Sequence, residues 1–192
     1  KSVNQNTGII YFDPGASIII EDGAHLQLKD VQIFGCEEMW QDIIVESGGK
    51  LTLVNCDIQD GIEAIRAEDG STVEINGCQF TNNKTGIYVP SNQGVAQTVT
   101  FNNFRDNHFK GDGLLKPPYD DRESFVGIDV NDLSLLTVDY FSAADDTYNF
   151  TFENMSFGIT ATRSNIIVDR AIFKNIRKDF FTAKGGTAIK AT

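Results

Sequence analysis

Apolar and polar residues alternate in one pattern that recurs along the chain. Ile18–Ile33 reads IIIEDGAHLQLKDVQI, Ile43–Ile58 reads IIVESGGKLTLVNCDI, and Ile65–Phe80 reads IRAEDGSTVEINGCQF. The three align without a gap, and their starts lie 25 and 22 residues apart. Within each, apolar residues recur at every second position in three short runs separated by a turn and a bend, the period of a strand and not of a helix. In the middle unit, Ile43 and Val45 point one way and Ile44 and Glu46 the other. The glycines of SGG then turn the chain, Leu51 and Leu53 point inward, VN bends it, and Cys56 and Ile58 point inward again. A strand-type repeat of this period predicts a solenoid with three short strands per turn.

The bend after the second strand recurs as apolar-x-apolar, two residues, apolar-x-apolar. Its second residue is Asp30, Asn55, Gly77, Asn103, Asn154 and, breaking the rule, Arg170. Asp, Asn and Gly tolerate the left-handed backbone region best, so each predicts a corner. The first-strand series runs Ile18–Ile20, Ile43–Val45, Ile65–Ala67, Ile87–Val89, Ile128–Val130, Ile159–Ala161 and Ile189–Ala191, with steps of 25, 22, 22, 41, 31 and 30 residues. The long steps predict insertions at Asp106–Val126 between third and first strands, at Asn131–Asn149 between first and second, and at Lys174–Thr187. Loops on a rigid scaffold are where function concentrates.

This pattern resembles the right-handed parallel β-helix of the pectin-lyase-like superfamily. The resemblance spans essentially the whole chain and implies an all-β, right-handed parallel β-helix solenoid of about six to seven coils, one domain over residues 1–192. The stretch Met39–Ile65, MWQDIIVESGGKLTLVNCDIQDGIEAI, also looks like β-helix segments of secreted bacterial surface proteins, including type IX secretion cargo. Both likenesses imply a secreted or cell-surface location. The chain opens on KSVNQNTG, without an apolar signal core, and ends at TAIKAT, which reads as the start of another repeat. The expectation is a segment of a longer chain, with NTGIIYFDPGA as a partial coil at one end. Further coils or a partner are expected to cap the C-terminal end, because solenoid ends expose strand edges.

Composition narrows the partners. The net charge is −11, against the clustered Lys and Arg that nucleic acid requires. No apolar run reaches eighteen residues, so no membrane span is expected. Three cysteines without a CxxC pair argue against zinc and thioredoxin-type chemistry. Cys56 and Cys78 share one repeat position and should stack on neighbouring strands, as a disulfide or, the favoured reading, as a ladder of free thiols. Cys36 lies in a turn and is expected free and partly buried.

The outward slot of the first strand reads Ile19, Ile44, Arg66, Tyr88, Asp129, Thr160, Lys190. Arg66, Tyr88 and Asp129 would be vertical neighbours, an aromatic face between two charged groups. That set suits a sugar ring whose hydroxyls or carboxylates the charges orient. An ordinary mixed polar face is the blander reading. Glu21, Glu46 and Glu68 also share a repeat position. Stacked carboxylates repel unless solvated or bridged, and oxygen-rich sets suit Ca²⁺, so these three are the candidate cation ligands. His108, in RDNHF, reads as a surface loop residue, Trp40 as a packing residue at a coil corner, and KPPYDDR as a partner contact or a rigid cover.

Catalysis in the resembled superfamily implies motifs that do not match. Polygalacturonase-like enzymes carry an Asn-Thr-Asp stretch, a double Asp on the first strand and a Gly-His-Gly. Here the Asp pairs, Asp120–Asp121 and Asp145–Asp146, fall in insertions, and His25 and His108 sit in no such motif. Arg66 loosely matches the arginine of pectate-lyase-like enzymes. No catalytic residue is carried over. The favoured reading is a non-catalytic scaffold for adhesion, display or glycan binding, with a polysaccharide or cell-surface partner. The alternative is a polysaccharide lyase or glycoside hydrolase working in a groove on the first-strand face.

Overall fold

The computed structural model describes residues 8–138, 150–178 and 185–192. Among them, twenty strands follow in chain order. β1 (Gly8–Phe12) leads into a first coil of β2 (Ser17–Ile20), β3 (His25–Lys29) and β4 (Val31–Gly35). The second is β5 (Trp40–Val45), β6 (Lys50–Val54) and β7 (Asp57–Gln59); the third is β8 (Gly61–Ala67), β9 (Thr72–Asn76) and β10 (Gln79–Thr81). The fourth is β11 (Thr85–Val89), β12 (Thr100–Arg105) and β13 (His108–Lys110). The fifth is β14 (Val126–Asn131), β15 (Leu136–Val138) and β16 (Phe150–Met155), and the sixth is β17 (Phe157–Thr162), β18 (Ile166–Val168) and β19 (Ala171–Ile176). β20 (Thr187–Ala191) starts a seventh turn.

First strands pair in the order β2-β5-β8-β11-β14-β17-β20, and third strands in the order β1-β4-β7-β10-β13-β16-β19. Second strands form one sheet, β12-β9-β6-β3, and a smaller one, β15-β18. Every named pairing is parallel, so the chain winds as a parallel β-helix. The first-strand register is the expected one: Ile18, Ile43, Ile65, Ile87, Ile128, Ile159 and Ile189 stand in one column. β1 is the partial coil expected at the N-terminal end, paired with β4 through Ile10 and Ile33. No helix among the described residues is long and apolar enough to cross a membrane.

The corners follow backbone tolerance. Asp30, Asn55, Gly77 and Arg170 all take positive φ between second and third strands, as expected, Arg170 included at 51°. Two assignments change. The fourth coil's corner is Asp106, at φ 54°, while Asn103 is a left-handed residue at a register shift inside β12. Asn154 belongs to the next corner, between third and first strands, with Asp60, Asn82 and Asn175. The reason is that Phe150–Met155 is one third-sheet strand, with Phe152 between Phe109 and Phe173. The fifth coil's second strand is therefore Leu136–Val138, inside the stretch read as an insertion; the rest of that stretch, residues 139–149 with Asp145–Asp146, lies outside the described residues. Part of the Lys174–Thr187 insertion, residues 179–184, does too.

Inside, columns of Ile, Val and Leu fill the space between sheets. On the third-sheet side, Phe80, Phe109, Phe152 and Phe173 stack with centroids 4.6, 5.2 and 4.9 Å apart and planes within 11°. Rings this thick need room. The first-sheet strands supply it with Gly86, Gly127 and Gly158 on consecutive rungs, where an added Cβ would meet a Phe ring at 2.5–2.6 Å. Among the described residues, Ile10, Phe12, Leu26 and Leu28 toward one end and Ile166, Phe173 and Ile176 toward the other pack against this core half-buried.

Candidate functional site: the outward face of the first sheet

The alternation that buries Ile65, Ile87 and Ile128 turns their neighbours outward. Arg66 pairs in register with Tyr88, Tyr88 with Asp129, Asp129 with Thr160, and Thr160 with Lys190. Ile19 and Ile44 extend the column below Arg66. The three candidate residues are thus brought together on consecutive rungs, about 4.8 Å apart.

Side-chain geometry adds what the register could not. The Arg66 guanidinium lies 5.7 Å from the Tyr88 ring centroid, within cation–π range. Its Nε donates to Glu68 Oε1 at 2.6 Å, and its Nη1 lies 3.5 Å from Glu63 Oε2. Asp129 Oδ1 accepts the Thr160 hydroxyl at 2.5 Å. Burial pushes the Asp129 carboxyl up, against the pull of Thr160 and Lys190. Burial likewise pushes up the Tyr88 phenol, helped by the negative charges of Glu63 and Asp129, and the Glu63 carboxyl, which Arg66 partly offsets. Glu63 escaped sequence reading. It sits at the start of β8, opposite Asp42 and Thr85, where the repeat begins too raggedly to compare.

The loops border this face unequally. Residues 111–125, joining β13 to β14, run along the corner between third and first sheets. Lys116 reaches Asp60 Oδ2 at 2.8 Å and donates to Gly35 O at 2.7 Å, and Pro117 O accepts the Met39 N–H at 2.9 Å. Lys84 Nζ lies 4.3 Å from the Tyr119 ring centroid. KPPYDDR is therefore a cover fastened to the scaffold. At the opposite edge, Asp132 gathers the loop after β11: its carboxylate accepts Ser91 Oγ at 2.9 Å, Asn92 N–H at 2.8 Å, Gly94 N–H at 3.1 Å and Arg163 Nε at 2.6 Å. Arg163 and these donors hold it below the usual carboxylate range. Nothing in the repeat marked Asp132, because its loop has no counterpart in earlier coils.

The other candidates resolve as follows. Glu21, Glu46 and Glu68 stack through Glu46 N–H to Ile20 O and Glu68 N–H to Val45 O, but Glu68 is engaged by Arg66. Among the described residues no three His, Cys, Asp or Glu side chains group as a metal site. Cys56 and Cys78 are buried free thiols, with the Cys56 N–H 3.4 Å from Cys78 Sγ; Cys36 is free and exposed rather than partly buried. The hydrogen bond with Cys56 and burial push the Cys78 thiol up. Trp40 is a packing residue, fully buried, donating to Gln59 O at 2.6 Å. His108 lies in β13 rather than a loop, and burial lowers its pKa.

Parallel sheets closed into a coil of repeating corners define the parallel β-helix class. Over residues 3–139 the sequence matches the family model for a right-handed β-helix region, and the chain belongs to that family. No curated protein and no solved structure matches it.

Proposed function

We propose that this β-helix is a non-catalytic scaffold of a secreted or cell-surface protein whose first-sheet face binds a glycan through Arg66, Tyr88 and Asp129. The observation that carries the reading is their alignment on consecutive rungs, with Tyr88 between a guanidinium and a carboxylate. An aromatic face with polar groups converging around it is a common way to hold a sugar ring. The engagement of Arg66 by Glu68 and Glu63 supports a binding role over catalysis, since a guanidinium so paired is not free to act as a base.

A second reading, lyase or hydrolase, is favoured by one observation: Asp129 and Glu63 share this face, and burial raises both carboxyls, as general acids require. A polysaccharide panel, assayed for binding and for reducing ends or unsaturated products, separates the two. The scaffold predicts saturable binding, weakened at least tenfold by Tyr88→Ala, without turnover. Turnover lost in Asp129→Ala overturns it in favour of the enzyme. Neither binding nor turnover rejects both.

A further inference from the structure

We infer that the first-sheet face takes an uncharged glycan chain and excludes polyuronates. This rests on the glycan-binding reading above and deepens it. The argument begins with Arg66, the natural partner for a sugar carboxylate. Its Nε is committed to Glu68 at 2.6 Å, its Nη1 faces Glu63 at 3.5 Å, and its Cζ lies 5.7 Å from the Tyr88 ring centroid. A uronate approaching the guanidinium would crowd the carboxylates of Glu68 and Glu63 that already pair with it, and drawing its Nε away would leave the half-buried Glu68 without its cation.

Local charge points the same way. Around the column, the carboxylates of Asp42, Glu63, Glu68 and Asp129 face the cations of Arg66, Lys84 and Lys190. A uronate chain adds one negative charge per sugar to a face already short of cations, and like charges in a partly desolvated site repel strongly. The net charge of −11 adds repulsion at long range.

An uncharged sugar meets no such obstacle. Tyr88 offers a ring face and a phenol hydroxyl that can donate to or accept from a sugar hydroxyl. Asp129 has one oxygen satisfied by Thr160, and the other can accept a sugar hydroxyl. Below Arg66, Ile44 and the 57%-exposed Ile19 continue the strip as an apolar floor for the C–H face of a ring. From Ile19 to Lys190 the column spans six rung steps, about 29 Å, long enough for several sugar units.

The test is isothermal titration of the wild-type chain with cello-, xylo- and chitin-oligosaccharides against oligogalacturonates and alginate oligomers of matched length, at low and moderate salt. An uncharged oligosaccharide should bind, with at least a tenfold loss in Tyr88→Ala and in Asp129→Asn, each checked by a cooperative melt to be folded at the titration temperature. Uronates should not bind at either salt. The Glu68→Gln variant supplies an independent arm: freeing Arg66, it should create measurable uronate binding that Arg66→Gln in the same background abolishes. Uronates binding the wild-type chain more tightly than uncharged sugars, through Arg66, would overturn the inference while leaving the glycan site standing. No binding by either class would overturn both.

Discussion

Gly127→Ala is the sharpest test of how the core is assembled. Gly127 lies in β14 outside the positive-φ region, so backbone strain does not require glycine there. By unfolded-state entropy alone, alanine should stabilise by about 0.4–1 kcal/mol. Packing reverses the sign. The new Cβ would sit 2.6 and 2.8 Å from Cδ1 and Cε1 of Phe152 and 2.8 Å from Gly158 O. Carbon atoms prefer about 3.5–4.0 Å, so something must give by close to 1 Å. Phe152 cannot slide freely, with Phe109 at 5.2 Å and Phe173 at 4.9 Å. Overpacking of this kind costs about 1–3 kcal/mol, and each kcal/mol lowers the Tm of a domain this size by about 2–4 °C. Calorimetry and denaturant unfolding of Gly127→Ala, Phe152→Leu and the double variant read the effect. The smaller, unstacked side chain should absorb part of the clash, giving a favourable coupling of about 0.5–3 kcal/mol. The reasoning is refuted if Gly127→Ala melts with the wild type, or if the two changes simply add.

Three further outcomes are expected. Asp129→Asn should raise the melting temperature at pH 7 and leave it unchanged at pH 3: the folded pKa is raised, so this group's stabilisation is complete below its unfolded value of about 3.9 and is lost as pH rises through the folded one. Asp132 has the opposite sign. Its folded pKa is depressed, so its contribution is present above pH ~3.9 and fades as pH falls below it, and Asp132→Asn should flatten the acid limb of the stability curve. Lys116→Met should leave the nearly buried Asp60 carboxylate without its cation, cost about 1–3 kcal/mol, and make residues 111–125 the first site cut by proteinase K, read by mass spectrometry.

The first-strand columns were legible because each repeats the same alternation, and the first three run into the same glycine turn. Residues 150–155 were misread because FTFENM imitates a strand, bend and strand; what decides is the Phe152 ring, which has to join Phe109 and Phe173. Asn103 misled for a related reason, since tolerance of a left-handed backbone marks bulges and corners alike. At the candidate site, register placed Arg66, Tyr88 and Asp129 correctly from sequence. The engagement of Arg66 by Glu63 and Glu68 was not legible, because it depends on how far long side chains reach within one strand.

The fastened loop 111–125 has a mechanical consequence. In a solenoid each coil touches only its neighbours, so a chain pulled along its axis should peel one turn at a time. Here Lys116, leaving the fourth coil, grips Gly35 at the end of the first coil and Asp60 at the end of the second. The strap runs parallel to the axis and spans the turns between. Tension applied at the N-terminal end can peel β1 to β4 as far as Gly35 and is then loaded in shear onto that strap, so the second to fourth coils should yield as one block, while the first coil and the coils beyond the strap peel singly.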